Sequence, residues 1–141
     1  MSLKQLLHLT PAGLIEARLQ AVTAGRFGLI YDSYHPQSAF RQQFPLRKDY
    51  LRFAAAAALR QCRLLDYQLV QQWHRADHAE VLFWLRLQAP PRPVDAWLEL
   101  AELDRTVHGW RYRCGYRLSW PEPPAPDTVD PERLRLEGLC F

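Results

Sequence analysis

Residues Trp110 to Leu118 read WRYRCGYRL, with Trp110, Tyr112, Cys114, Tyr116 and Leu118 at one parity and Arg111, Arg113 and Arg117 at the other. Side chains alternate across a strand with period two, so the stretch predicts a half-buried antiparallel strand, rings inward and an arginine stripe outward. Trp97 to Arg105 is an apolar-acidic run before it, and Val107-His108-Gly109 between the two is a turn. The pair therefore reads as a hairpin.

Working towards the N-terminus, Ala89-Pro90-Pro91-Arg92-Pro93 is a loop, because proline cannot donate to a ladder. Arg63 to Trp73 and Ala79 to Gln88 read as two more strands, joined at Arg75-Ala76-Asp77-His78. On the second, Val81, Phe83, Leu85 and Leu87 share one face while Leu82 and Trp84 take the other, which predicts cover on both sides. The first third is helical in pattern. Thr10-Pro11 is a helix start, Leu14, Ile15, Leu19 and Val22 recur at helical spacing with Arg18 and Gln20 towards solvent, and Gly25 is the stop. Arg26 to Tyr34 is a second helix with an aromatic face of Phe27, Ile30, Tyr31 and Tyr34, stopped by His35-Pro36. Ser38 to Phe44 makes one or two turns, and Leu46 to Arg60, with alanine at 54 to 58, is the strongest helix by propensity.

Helices followed by strands, rather than alternating with them, specify an α+β fold. The expected architecture is a set of N-terminal helices on a curved antiparallel sheet of about four strands, closing a cone around an apolar pocket. Residues 1–118 form that domain. Pro121, Pro123, Pro124 and Pro126 make 119–141 a Pro-rich C-terminal extension, with a short turn beginning at Asp130-Pro131-Glu132.

A length of 141 residues suits one domain with a real core, and 12% aromatic residues put rings in that core. The net charge is +3, and all but Lys4 and Lys48 of the 18 basic residues are arginine, a bias that more often reflects base composition than a nucleic-acid site. Cys62, Cys114 and Cys140 are odd in number and widely separated, which supports neither a disulfide framework nor a zinc site and predicts a reduced, cytoplasmic protein. No apolar run reaches the roughly 18 residues that span a bilayer. No cofactor and no metal are expected, because His8, His35, His74, His78 and His108 match no ligand spacing.

The segment LIEARLQAVTAGRFGLIYDSYHP, Leu14 to Pro36, together with Glu99, Ala101, Leu103, Gly109, Trp110, Tyr112 and Gly115, resembles the middle domain of YchJ-like bacterial proteins. The resemblance covers roughly Thr10 to Leu118. It implies the nuclear transport factor 2-like, cystatin-like α+β roll. Ala101 stands where that family has Ser and Leu103 where it has Phe, and the cysteine-rich SEC-C zinc motifs that flank the family's domain are missing at both ends, so zinc does not transfer.

Enzymes with this roll use an acid/base residue inside the apolar cone. The candidate pocket residues are Tyr31, Asp32, Tyr34 and His35 at the end of the second helix, with Trp84, Glu99, Trp110 and Tyr112 from the sheet. Asp32 reads as solvated, His35 as a helix-terminating residue whose ring caps carbonyls, and Glu99 as free to point either into the cone or out. A second candidate surface is basic: Arg47, Lys48 and Arg52 on the alanine-rich helix and Arg111, Arg113 and Arg117 on the strand. The expected function is a non-catalytic module binding a small apolar ligand or a protein, with a homodimer through the sheet as one assembly the superfamily implies. An isomerase- or dehydratase-type enzyme is the alternative. Nucleic-acid binding through the arginine-rich face is the second alternative.

Overall fold

The computed structural model describes residues 3–56 and 61–141. Its helices are α1 (Leu3–Leu6), α2 (Pro11–Ala24), α3 (Phe27–Ser33), α4 (Ala39–Gln43), α5 (Arg47–Ala56) and α6 (Pro131–Glu137). The strands are β1 (Arg63–Arg75), β2 (His78–Gln88), β3 (Asp95–Thr106), β4 (Gly109–Ser119) and β5 (Leu139–Cys140). They form one antiparallel sheet in the order β1-β2-β3-β4-β5. The fold is α+β, as the segregation of helices and strands requires.

Local chemistry accounts for the helix ends. Thr10 Oγ1 accepts from the Gly13 amide at 3.0 Å, Pro11 opens α2, and Gly25 closes it in the left-handed region at φ 68°. Ser38 Oγ accepts from the Arg41 amide at 3.2 Å and starts α4. The expected helix Leu46 to Arg60 is described as Arg47–Ala56; its remainder, 57–60, lies outside the described residues.

Two expectations are corrected. Among the described residues the sheet has five strands rather than about four, because the segment after α6 returns along β4 with Leu139 opposite Arg117 and Cys140 opposite Tyr116. Two residues are too short a run to show a period. The second correction is to the parity of β4. Glu102 faces Cys114 and Leu103 faces Tyr112, so Arg113 is an extra residue in the ladder. A bulge of one residue exchanges the faces beyond it. Trp110 and Tyr112 join the inner cluster with Trp97, Ala101 and Leu103, whereas Tyr116 and Leu118 pack on the outer face with Leu98 and Leu100. Arg117, opposite Glu99, returns to the inner side.

The inner cluster joins α2 and α3 to the sheet through Leu14, Ile15, Leu19 and Leu29 against Val81, Phe83, Leu85 and Trp97. On the outer face Leu82, Trp84, Leu98 and Leu100 pack against Val129 and Leu134 from the segment after β4. Trp84 is fully buried and its indole N–H donates to the Trp120 carbonyl at 2.8 Å. The proline-rich segment thus supplies the cover that the two-sided pattern of β2 demanded. No helix among the described residues is long and apolar enough to cross a membrane.

Candidate functional site

Between α2, α3 and the inner sheet face lies a cavity of about 200 Å³. Its walls are mostly apolar, including Leu19, Ile30, Phe83 and Leu85, and its polar lining is Arg18, Tyr34, Glu99 and Arg117. Strand register decides the direction of Glu99. It lies two residues from both Trp97 and Ala101 and shares their inner face, where only 6% of it is exposed. One carboxylate oxygen accepts from the Trp97 indole at 3.2 Å and lies 3.5 Å from the Arg117 guanidinium. The other accepts from the Tyr112 hydroxyl at 2.9 Å. Burial, and then the Glu99 charge, holds the Tyr112 phenol well above its ordinary pKa, so it stays an O–H donor. Gly115 is required beside it, since a side chain there would collide with the Tyr112 hydroxyl.

Arg18 completes the group, contrary to its expected solvent position. Its guanidinium stands 4.2 Å from the ring centre of Tyr112 and 4.4 Å from that of Tyr34, and it donates to Ser33 Oγ at 2.5 Å. Burial works against its charge, but Tyr34, Tyr112 and Glu99 outweigh burial and raise its pKa. The signal was in the helix pattern. Arg18 is four residues from both Leu14 and Val22 and adjacent to Leu19, in the middle of the apolar stripe rather than beside it.

The other candidates disperse. Tyr34 lines the cavity, but Tyr31 is buried among Tyr50, Phe40 and Ala54 and donates to the Phe44 carbonyl at 2.8 Å. Asp32 accepts a forked pair from Arg47 at 3.0 and 3.1 Å, outside the cavity. α3 ends at Ser33 with Tyr34 as its C-cap, and His35 follows it; the His35 Nδ1 accepts from the Gln37 amide at 3.0 Å instead of capping a carbonyl. Trp84 is on the opposite sheet face. Trp110 is inside but packs on His74, with ring centres 5.1 Å apart, and does not line this cavity. Trp97, Phe83, Leu85 and Phe141, which are outside the candidate set, do line it.

The outward stripe of Arg111, Arg113 and Arg117 is likewise corrected. Arg111 is 5% exposed, Arg113 pairs with Asp104 at 2.7 Å, and the bulge turns Arg117 inward to Glu99. Arg47 is committed to Asp32, while Lys48 and Arg52 are exposed on α5. The six residues do not share one surface.

A separate polar network occupies the outer face. His78 Nδ1 lies 2.9 Å from Asp104, and His78, Glu80 and Glu102 place their ligand-type atoms within 4.8 Å of one another. Arg135 pairs with Glu80, and Arg113 with Glu102, so the carboxylates already have cationic partners. The Cys114 thiol donates to Glu102 at 3.0 Å; burial first, and this bond second, push its pKa up to about 12. The thiolate is the reactive form. At pH 8 a disulfide reagent is therefore expected to label exposed Cys140 rapidly and Cys114 slowly, with buried Cys62 slow as well. Peptide mapping of the labelled protein checks the order.

Comparison with known proteins bears on the fold. The chain is similar in structure to a SEC-C motif containing protein from Rhodopseudomonas palustris, a structural genomics target solved in solution, with a TM-score of 0.58 and 15% identity over 82% of this chain and 80% of that one. The shared property is the fold. No family model and no curated protein matches the sequence.

Proposed function

We propose that this chain is a non-catalytic cytoplasmic module that holds a small, largely apolar ligand beneath the inner face of a nuclear transport factor 2-like roll. The observation that carries the reading is the cavity of about 200 Å³, apolar along its walls and polar at one end. Ligand sites have this composition, with a few polar groups fixing orientation. Glu99 supports a binding role, since Trp97, Tyr112 and Arg117 all engage its two oxygens. With one hydrogen bond to each oxygen and an ion pair to Arg117, the carboxylate is fixed in place as an acceptor facing the cavity.

Titration with hexan-1-ol by calorimetry or ligand-observed NMR tests the reading. Saturable binding is expected, and V22F, which places a ring in the cavity, is expected to abolish it while leaving the thermal midpoint within a few degrees. Binding that survives the filled cavity would sink the proposal.

Acid/base catalysis on a small molecule is the second reading, favoured by one observation: Glu99 points inward beside the Tyr112 hydroxyl in apolar surroundings. It predicts a turnover that E99Q loses while ligand affinity is kept. The binding reading predicts that E99Q changes affinity alone.

A further inference from the structure

Two guanidinium groups and one carboxylate line the same cavity, Arg18, Arg117 and Glu99. One positive charge is left without a counter-charge at the polar end. The hydrogen-bond and ring partners of Arg18 are all neutral, namely Ser33 and the faces of Tyr34 and Tyr112. Arg117 stands over the rings of Trp97 and Phe141, 4.2 and 4.7 Å from their centres, and its one ion pair among the described residues is with Glu99. Its Nε is buried and has no acceptor among the described residues. A buried donor requires an acceptor, and although 41% of the Arg117 side chain is exposed, an end of the cavity that carries a surplus positive charge favours an anion. Of the remaining lining only the Tyr34 hydroxyl and the Trp97 indole are polar, and neither is an anion.

We propose that the cavity selects a small, largely apolar monocarboxylate, with its head at Arg117 and Arg18 and its hydrocarbon against Leu19, Phe83 and Leu85. The inference rests on the ligand-binding reading above and names the class of ligand. A guanidinium matches a carboxylate by its planar fork of donors. Glu99 does not exclude a second carboxylate, because Trp97 and Tyr112 already donate to it, Arg117 pairs with its charge, and Arg18 balances the anion that enters. Volume sets the size. An apolar cavity of about 150 Å³ takes benzene, so one of about 200 Å³ takes a six-carbon chain or ring with a carboxylate attached.

Calorimetric titration of the whole chain at pH 7 with hexanoate, hexan-1-ol and hexylamine compares a negative, a neutral and a positive head on one chain length. Hexanoate is expected to bind roughly tenfold more tightly than hexan-1-ol, the value of one charge-assisted bond, with hexylamine the weakest. R117M is expected to remove the preference for acid over alcohol while alcohol binding persists. Equal affinity for acid and alcohol, or an amine that binds best, would overturn the carboxylate assignment and leave the cavity reading in place. A preference that survives both R117M and R18M would overturn the position of the head. Failure of all three probes to bind would overturn both proposals. If R117M does not fold, the wild-type series still decides the charge preference.

Discussion

Trp84→Ala is expected to lower the free energy of unfolding by about 3–5 kcal/mol, the range for deleting a buried tryptophan. In a domain of this size that corresponds to a fall of roughly 10–20 °C in the thermal midpoint. Trp84 has no exposed surface, and its loss opens a cavity among Leu82, Leu98 and Leu100 and frees the Trp120 carbonyl. Trp84→Phe separates the two contributions. It keeps most of the volume but not the N–H donor, and about 1–2 kcal/mol is expected from the donor and the smaller ring together. Calorimetric unfolding of the three proteins measures both. A chain ended after Ser119 is expected to be worse than Trp84→Ala and to precipitate, because it bares the whole outer apolar face that Val129 and Leu134 cover. A soluble 1–119 fragment with the native thermal midpoint would show that the tail is an accessory to the fold.

Glu99→Leu is the second large effect. The substitution leaves the Tyr112 hydroxyl and the Trp97 indole without their acceptor and the Arg117 guanidinium without its counter-charge. Breaking a buried pair costs about 3–5 kcal/mol, and because 41% of the Arg117 side chain is exposed the figure here is reduced to about 2–3 kcal/mol. Glu99→Gln keeps an acceptor oxygen and is expected to cost about 1 kcal/mol. Urea unfolding should show a lower midpoint at an unchanged slope. In a double-mutant cycle, Tyr112→Phe should cost much less in the Glu99→Leu background than alone, since the hydroxyl has then already lost its acceptor. Additive effects would show that the hydroxyl and carboxylate are not coupled.

These two residues mark the boundary between what was legible in the chain and what was not. Strand alternation on β2 puts Trp84 on the face away from Phe83 and Leu85, but alternation assigns a face without saying what covers it, so the pattern does not separate Trp84 from a pocket wall. The covering layer is α6, which begins 47 positions after Trp84, and no local pattern records a contact over that distance. The direction of Glu99 is not legible for the related reason that Leu98 and Leu100 are also apolar, so a strand buried on both sides gives no polar face to orient by. The charge of Arg18 predicts solvent, whereas its position in the apolar stripe of α2 predicts the sheet face, and position wins. Stacked between two tyrosine rings, a guanidinium is tolerated in a stripe that otherwise excludes charge.

By itself the amino-acid order determined the longer elements. Capping residues, prolines, helical spacing and the period-two runs specified α2, α3, the four long strands and the α+β arrangement, all of which depend on neighbours within a few residues. The tertiary structure alone decided the site. One bulged residue, Arg113, exchanged the faces of β4 and so brought Arg117 to Glu99, while packing against the sheet drew Arg18 over Tyr112. The WRYRCGYRL stretch contains that exchange without displaying it, because a bulge is set by pairing with the partner strand and not by the bulged strand's own composition.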